Sequence, residues 1–513
     1  MMIFYLCLTA GLINQYRLSL PVSDRRSLPG RFGNMAQPLL KLFDEDALDQ
    51  IHHLTVDILS KVGFLCESEP VLEMIKEHVS RVDVQKKRVW MTEDELMEWV
   101  NKAPKELTLA SRDGKNDLPH PARISYACTD GQPVEVFDLE TGERRYSTYK
   151  DCVQLAKMGD ALPQVQLYWP MVSATDKDPA VCSYYEFTAS LENTTKHIQH
   201  GAHGTPEADF QIEYASAIMG SEKELQRKPI ISNTHTPVSP LVLDQNQIDG
   251  AVAFARAGLP NIHLVMIILG SSGPVTMPGA IAQGNAEILA SIAVCQMAKS
   301  GSPSIYSFES GSMDMRSGVF LSGSIEGALM TAGACQLSHR YHLPNQMGGL
   351  AASGAVPGYE VGIQKAISGL IPVMAGADCV VGIGGINRSG VESCIQMVLD
   401  CEAWKSIIRT VENITVDENS FAMKAIEEVG PGGTYLRNMH TLRNFKKETI
   451  IPELVSGHSS KDVPKEEEMV ANARKKAKQI LAQHESPGFE PSLKKELNQI
   501  FKKHAEKALG KNK

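Results

Sequence analysis

Residues 302–318 read SPSIYSFESGSMDMRSG, and they set the architecture expected of the whole chain. Positions 304–308 combine β-branched and aromatic residues as a short buried strand does. Glu309-Ser310-Gly311-Ser312 is turn-forming, and the polar run after it carries an acid, Asp314, and an arginine, Arg316. From 319 to 341 the apolar residues recur at helical spacing. A strand that ends in a polar loop and feeds a helix is one βα unit. In barrels built from such units, the loops at the strands' carboxyl ends carry the chemistry.

The unit recurs along the chain. Strands are expected at 165–172, 197–201, 230–235, 262–269, 304–308, 345–349 and 379–385, and helices at 178–193, 207–220, 245–257, 278–298, 319–341 and 358–375. Such alternation indicates a parallel sheet. Seven units are legible, and an eighth, before 160 or after 407, would close a (β/α)8 TIM-type barrel. The barrel is expected over 151–460. An accessory region of helices and small antiparallel sheet is expected over 35–150, where Asp113-Gly114, Asp130-Gly131 and Thr141-Gly142 read as hairpin turns. The tail, 461–513, is charged and helix-prone, which reads as a solvated face or, alternatively, as a surface that touches a partner. Residues 1–34 are expected to be an extension ahead of a working start at Met35. The apolar run at 3–13 is too short to span a bilayer and has no basic residue before it.

Composition narrows the function. Of 513 residues 43% are apolar and only 6% aromatic, while 40 glycines and 21 methionines suit many tight turns and an adaptable core. A net charge of -9 argues against nucleic acid as the main partner, and no later segment is a membrane-span candidate. Ten scattered cysteines without a C-x-x-C pair fit free thiols in a reducing cytoplasm. There is no P-loop and no G-x-S-x-G elbow. Val381-Gly382-Ile383-Gly384-Gly385 lacks the third glycine spacing of a dinucleotide loop. The histidines of HIQHGAH, His197, His200 and His203, invite a zinc reading, but a single site would need the chain to turn at Gly201. The other reading places them along the barrel mouth.

Four aromatics fall near expected strand ends: Tyr168, Trp169, Tyr306 and Phe308. They can be core, or faces for a cation. Arg316 can clamp a substrate carboxylate, or pair with Asp314 or Glu309 to rigidify its loop.

Several runs carry a resemblance: Gly273-Pro274-Val275-Thr276, Gln283-Gly284-Asn285-Ala286-Glu287, Asp314-Met315-Arg316-Ser317-Gly318, Gly376-Ala377-Asp378, and Glu428-Val429-Gly430-Pro431-Gly432-Gly433 followed by His440-Thr441. In that order, over roughly 39–481, the chain resembles the trimethylamine methyltransferase family. The resemblance implies a (β/α)8 barrel that moves a methyl group from a methylated amine to the cobalt of a separate corrinoid protein. Trimethylamine enzymes of the family carry pyrrolysine near the segment equivalent to 348–356. Here that segment is GGLAASGAV, with no reactive amine. The chain therefore looks like the non-pyrrolysine branch, which implies a quaternary amine substrate: glycine betaine first, with carnitine and proline betaine as alternatives.

Under that resemblance, Tyr168, Trp169, Tyr306 and Phe308 are expected to surround the ammonium. Arg316, His342 and Asn345 are expected to contact the rest of the substrate, although His342 precedes its strand. No residue is assigned a catalytic role, because cobalt(I) is itself the nucleophile. No tightly bound cofactor or metal is expected; the methyl acceptor is cob(I)alamin on the corrinoid partner. A homo-oligomer is expected. The competing readings are a zinc methyltransferase of the methanol type using the HIQHGAH histidines, and a non-catalytic betaine-binding protein.

Overall fold

The computed structural model describes residues 38–454, 467–486 and 488–510. The expected extension at 1–34 lies outside the described residues. Eight parallel strands close into a barrel: β1 (Tyr126–Thr129), β2 (Leu167–Tyr168), β3 (His197–His200), β4 (Ile231–His235), β5 (Asn261–Leu269), β6 (Ser304–Asp314), β7 (Asn345–Gly348) and β8 (Cys379–Ile383). Each strand pairs with the next, and β8 pairs with β1 through Val380 and Ala127. Each is followed by a helix: α1 (Tyr149–Ala161), α2 (Cys182–Asn193), α3 (Thr205–Met219), α4 (Gln245–Ala257), α5 (Met277–Ala298), α6 (Ile325–Arg340), α7 (Tyr359–Met374) and α8 (Cys394–Arg409). This is the (β/α)8 TIM-type barrel expected.

The eighth strand is the first one, β1, and it falls inside the stretch read as accessory. The run Tyr126 to Thr129 is only four residues long and is followed at once by Asp130-Gly131. That dipeptide ends a barrel strand instead of turning a hairpin. The other two turns are hairpins, between Leu107–Leu109 and Leu118–His120, and between Glu135–Phe137 and Arg144–Tyr146. The first hairpin plugs the bottom of the barrel. Its Leu109 and Leu118 pack with the interior residues Cys128, Leu167, Ile262, Ile305, Cys379 and Val381. The second extends a small sheet with Gly385–Ile386 and Val391–Glu392, the segment that follows β8 at the mouth.

The stretch around 302–318 differs from its reading. The strand runs on from Phe308 through the expected turn to Asp314, and then pairs antiparallel with Val319–Leu321. Residues 309–312 stay extended because β5 is equally long, and their backbone continues to pair with its segment from Met266 to Leu269. The helix starts at Ile325, where the Ser324 side chain accepts from the Gly327 amide.

The tail is also different from a solvated face. Helix α9 (Glu418–Phe421), α10 (Met423–Val429) and α11 (Met439–Glu448) form an excursion between α8 and the tail. Tail helices α12 (Glu467–Gln483) and α13 (Pro491–Ala508) then return to the barrel wall. Helix α12 packs on α8 and α1, and α13 on α3. His484 Nε2 lies 2.7 Å from Asp160, His504 Nε2 lies 2.7 Å from Glu213, and the Phe501 ring meets Tyr185 edge-on.

Candidate functional site

Both faces of a parallel barrel strand are buried, one against the helices and one in the interior. Which face a side chain takes decides whether it can touch a ligand. On β6, Ile305 belongs to the interior cluster, so Ser307 and Glu309 share its face; Tyr306 and Phe308 face the helices. The Tyr306 hydroxyl donates to Asn285 Oδ1 of α5 at 3.1 Å. Phe308 lies over Gly284 of α5, where an added Cβ would come within 2.5 Å of the ring. Tyr168 is turned the same way, against Gly159 of α1. None of these three can surround an ammonium in the barrel.

Three further expected contacts are also elsewhere. Arg316 is at the tip of the β6 hairpin, 91% exposed, with Nε donating to Asp314 at 3.0 Å. His342 is exposed in the turn before β7, at the end of the barrel opposite the mouth, with a φ of 53°. Asn345 opens β7 at that same end, and its Oδ1 accepts from the Asp378 amide at 3.0 Å. Of the seven residues expected, only Trp169 packs toward the interior cluster. The Thr129 hydroxyl holds it from β1, accepting from the Trp169 amide and donating to its carbonyl, both at 2.7 Å. Its indole N–H has no protein acceptor.

The HIQHGAH histidines diverge. His197 is in the lower interior, near the Ala110 carbonyl at 3.1 Å and the Ser232 hydroxyl at 3.0 Å. His200 points to the helices, with Glu186 at 3.6 Å and Gln211 at 3.1 Å. His203 is exposed beside Gln247. Among the described residues no three His, Cys, Asp or Glu side chains stand together as a metal would require, so the zinc reading loses its ligand set.

The upper interior is polar. Gln346 Nε2 of β7 donates to Gln199 Oε1 of β3 at 2.8 Å, across the barrel. Their remaining amide atoms, with Thr234 Oγ1 and Ser307 Oγ, have no protein partner. Above them Trp169, Met266, Ile268 and Glu309 keep part of their surface accessible, so they line a recess and not a filled core.

Three carboxylates gather at this end. Glu309 lies across Gly348, whose added Cβ would fall 2.7 Å from Glu309 Cγ. Asp130 presses on Gly385, where a Cβ would overlap its carboxylate; its Oδ1 accepts from the Gly131 amide. Glu392 is buried beside Gly384, and neither of its oxygens has a hydrogen-bond partner. Burial pushes Glu309 up to about 7, and the neighbouring Asp130 adds to the shift. Burial holds Glu392 well above the usual carboxylate range, again with Asp130 contributing. Asp130 is itself raised by burial, against the opposing effect of Ser389 and Lys365.

Lys365, whose charge acts on Asp130 and Glu392, is already engaged. Lys365 Nζ of α7 donates to Asp400 of α8 at 2.7 Å, and to the carbonyls of Leu350 and Gly382 at 2.7 and 2.9 Å. The recess thus gathers a carboxylate, an indole face and unpaired polar atoms, with two more carboxylates buried behind it. Sequence reasoning missed Asp130, Glu309 and Glu392. The signal for two of them was an acid directly after a short buried run, as in Cys128-Thr129-Asp130, where the strand ends, and Ser307-Phe308-Glu309, where it continues.

Fold and site together define a (β/α)8-barrel protein with a carboxylate-rich mouth. The trimethylamine methyltransferase (MTTB) family model matches residues 25–508, and the chain belongs to that family. A glycine betaine methyltransferase of Desulfitobacterium hafniense (strain Y51) is 29% identical over 461 residues, covering 89% of this chain and 95% of that one. The trimethylamine methyltransferase MttB of Methanosarcina barkeri is 27% identical over 479 residues, covering 91% and 96%. Among solved structures, the monomethylamine methyltransferase MtmB of Methanosarcina barkeri aligns with a TM-score of 0.49 and 13% identity, covering 86% of this chain and 89% of that one.

Proposed function

We propose that this chain moves a methyl group from a quaternary amine to the Co(I) of a separate corrinoid protein. The observation that carries the reading is Glu309 lying over Gly348. The segment that bears pyrrolysine in the trimethylamine enzymes is small here, and a carboxylate occupies the room beside it. A quaternary ammonium keeps a permanent charge until its methyl departs, and it leaves as a neutral amine. It needs no general acid and no covalent activation. It needs a negative, partly apolar recess, which Glu309, Asp130 and Trp169 supply.

The corrinoid partner's cobalt(I) would supply the nucleophile. The chain's own residues hold and orient the substrate. Indole and carboxylate fix the ammonium at the recess wall, Met266 and Ile268 exclude water, and one N–CH3 bond is left facing the opening. An aromatic face contributes about 0.5–2 kcal/mol to holding the cation. The nine described cysteines are all free, which suits the reducing cytoplasm in which we place the enzyme. No described helix is long and apolar enough to cross a membrane.

Glycine betaine is the substrate assigned first, on the strength of the Desulfitobacterium relative aligned over most of the chain. A second reading has its own support. The recess exposes the Glu309 carboxylate, with Asp130 and Glu392 buried behind it and Lys365 already tied to Asp400, which favours a quaternary amine without a carboxylate, such as tetramethylammonium. One panel separates them: trimethylamine, glycine betaine, carnitine, proline betaine and tetramethylammonium, each with cob(I)alamin, following methylcobalamin formation. Turnover of glycine betaine alone supports the first reading and of tetramethylammonium the second. Turnover of no quaternary amine sinks the proposal.

A further inference from the structure

The recess is negative, yet one cation at its rim has no acid to pair with. Gly385–Ile386 and Val391–Glu392, the segment after β8, run antiparallel with Ile386 opposite Val391. The turn between them is Asn387-Arg388-Ser389-Gly390, and its first three residues all have left-handed backbone, with φ of 52°, 63° and 56°. Asparagine visits that region readily, whereas arginine and serine are strained in it and glycine is not. The turn is held from outside. The Asn387 amide donates to the Gly354 carbonyl and the Arg388 amide to the Ala352 carbonyl, both at 2.8 Å. Both carbonyls belong to the small-residue segment after β7. Ser389 donates toward Asp130, and Asp130 in turn acts on Glu309. Arg388 therefore stands at the lip of the mouth, one residue from the contact that leads into the recess.

Its side chain is exposed, and its one hydrogen bond runs from Nη2 to Asn387 Oδ1 at 3.3 Å. Other arginines of the mouth sheet and of the β6 hairpin are engaged: Arg144 with Glu135, Arg145 with Asp138 and Asp151, and Arg316 with Asp314. Among the described residues Arg388 meets no carboxylate. A guanidinium presents a planar fork that fits a carboxylate through two parallel bonds. A large side chain kept at a backbone position where glycine would fit without strain points to a use for that side chain.

We infer that Arg388 takes the carboxylate of the substrate, so that the amine this chain demethylates is one that carries a carboxylate. The inference rests on the methyl transfer proposed above and names the residue that selects its substrate. With the ammonium held by Glu309 and Trp169, a carboxylate on the same molecule is kept from turning inward. Asp130 and Glu392 lie buried there, and like charges repel. The carboxylate turns instead to the β8 side of the rim, where Arg388 stands. The substrate then lies across the mouth between an acid on β6 and a base beyond β8, with an N–CH3 bond left facing the opening.

The test is calorimetric titration of glycine betaine, carnitine, proline betaine and tetramethylammonium into the full chain, unaltered and as Arg388→Gln, Arg388→Lys and Arg388→Gly. In Arg388→Gln, affinity for the tightest of the three carboxylate-bearing amines is expected to fall about tenfold or more relative to tetramethylammonium. Arg388→Lys keeps the charge without the fork and should fall between. Arg388→Gly should lose the same selectivity while its melting temperature holds or rises, because it relieves the left-handed turn; an arginine with only a structural role would lower the melting temperature. An unchanged ratio in Arg388→Gln overturns the inference, and so does an equal loss for all four amines. An unaltered chain that binds tetramethylammonium and none of the other three also overturns it, while leaving methyl transfer from a quaternary amine in place. A chain that binds no quaternary amine removes the proposed function and the inference together.

Discussion

Glu309 shows how much one side chain's environment can determine. In an unfolded chain its carboxyl titrates near 4.3; in the barrel, burial and Asp130 push it up to about 7. The native state therefore binds this proton more tightly than the unfolded state does. The resulting stabilisation is complete below the unfolded pKa and is lost as pH rises from about 4.3 through about 7. We expect Glu309→Gln to raise stability at pH 8, by at most about 4 kcal/mol, and to change little at pH 4.5; urea melts at the two pH values check it. Ligand affinity should move the other way. A cation favours the ionised form, so binding of a quaternary amine should strengthen as pH rises from 6 to 8, and Glu309→Gln should bind weakly and flatly across that range by calorimetry. Trp169→Ala should raise KM roughly 2- to 30-fold, the range of one cation–π contact. Three of the four aromatics expected at the site, Tyr168, Tyr306 and Phe308, face the helices for a reason of parity. In Ser304-Ile305-Tyr306-Ser307-Phe308 both faces are buried, so hydrophobicity does not mark the inner one. The small polar Ser307 is inside and the rings are outside.

At the level of elements, the βα alternation was legible because seven short runs closed by small or polar residues alternate with long stretches of helical spacing. β1 was not, because four residues beside a DG pair look like hairpin edge, and only its pairing with Cys379–Ile383 defines it. The acids Asp130 and Glu392 come together through β1 and the segment after β8, 262 positions apart in sequence, and no local pattern encodes that. What holds this junction is the Lys365–Asp400 pair, which ties α7 to α8 and reaches the carbonyls of Leu350 and Gly382. Removing one partner strands the other charge in the interior. Lys365→Met should cost about 3–5 kcal/mol, whereas Lys365→Met with Asp400→Leu should recover much of it; denaturant midpoints of both variants decide the matter. Gly348→Ala belongs here too. Its Cβ would meet Glu309 Cγ at 2.7 Å, so it should leave the melting temperature within a few degrees while moving the carboxylate and weakening amine binding about tenfold or more, since a buried charge is sensitive to displacement.

On the scale of the molecule, the barrel is closed from several sides by chain that does not belong to it. The Leu107–His120 hairpin stops the bottom, and the tail braces the wall. Charge-rich helices such as α12 and α13 usually read as solvated, and their sequence is rich in lysine and glutamate. Yet Leu497, Ile500 and Ala505 of α13 are buried, and Phe501 reaches Tyr185 and Phe210 on α2 and α3. The lysines keep their heads in water while the helix lays an apolar stripe on the barrel. A solvated tail and a structural brace give different results on substitution. If the tail were solvated, Phe501→Ala and His504→Ala would leave stability within about 0.5 kcal/mol. As a brace, Phe501→Ala should cost about 1–3 kcal/mol, because its ring is only partly buried. His504→Ala should cost about 1–2 kcal/mol through the loss of its bond to Glu213. Because α13 covers α3, the loss should appear as local opening: amide exchange should quicken in Thr205–Met219 before it does in β5 and β6, which lie on the far side of the helical layer. Exchange that rises evenly through the barrel would instead make the tail part of a single cooperative unit with it.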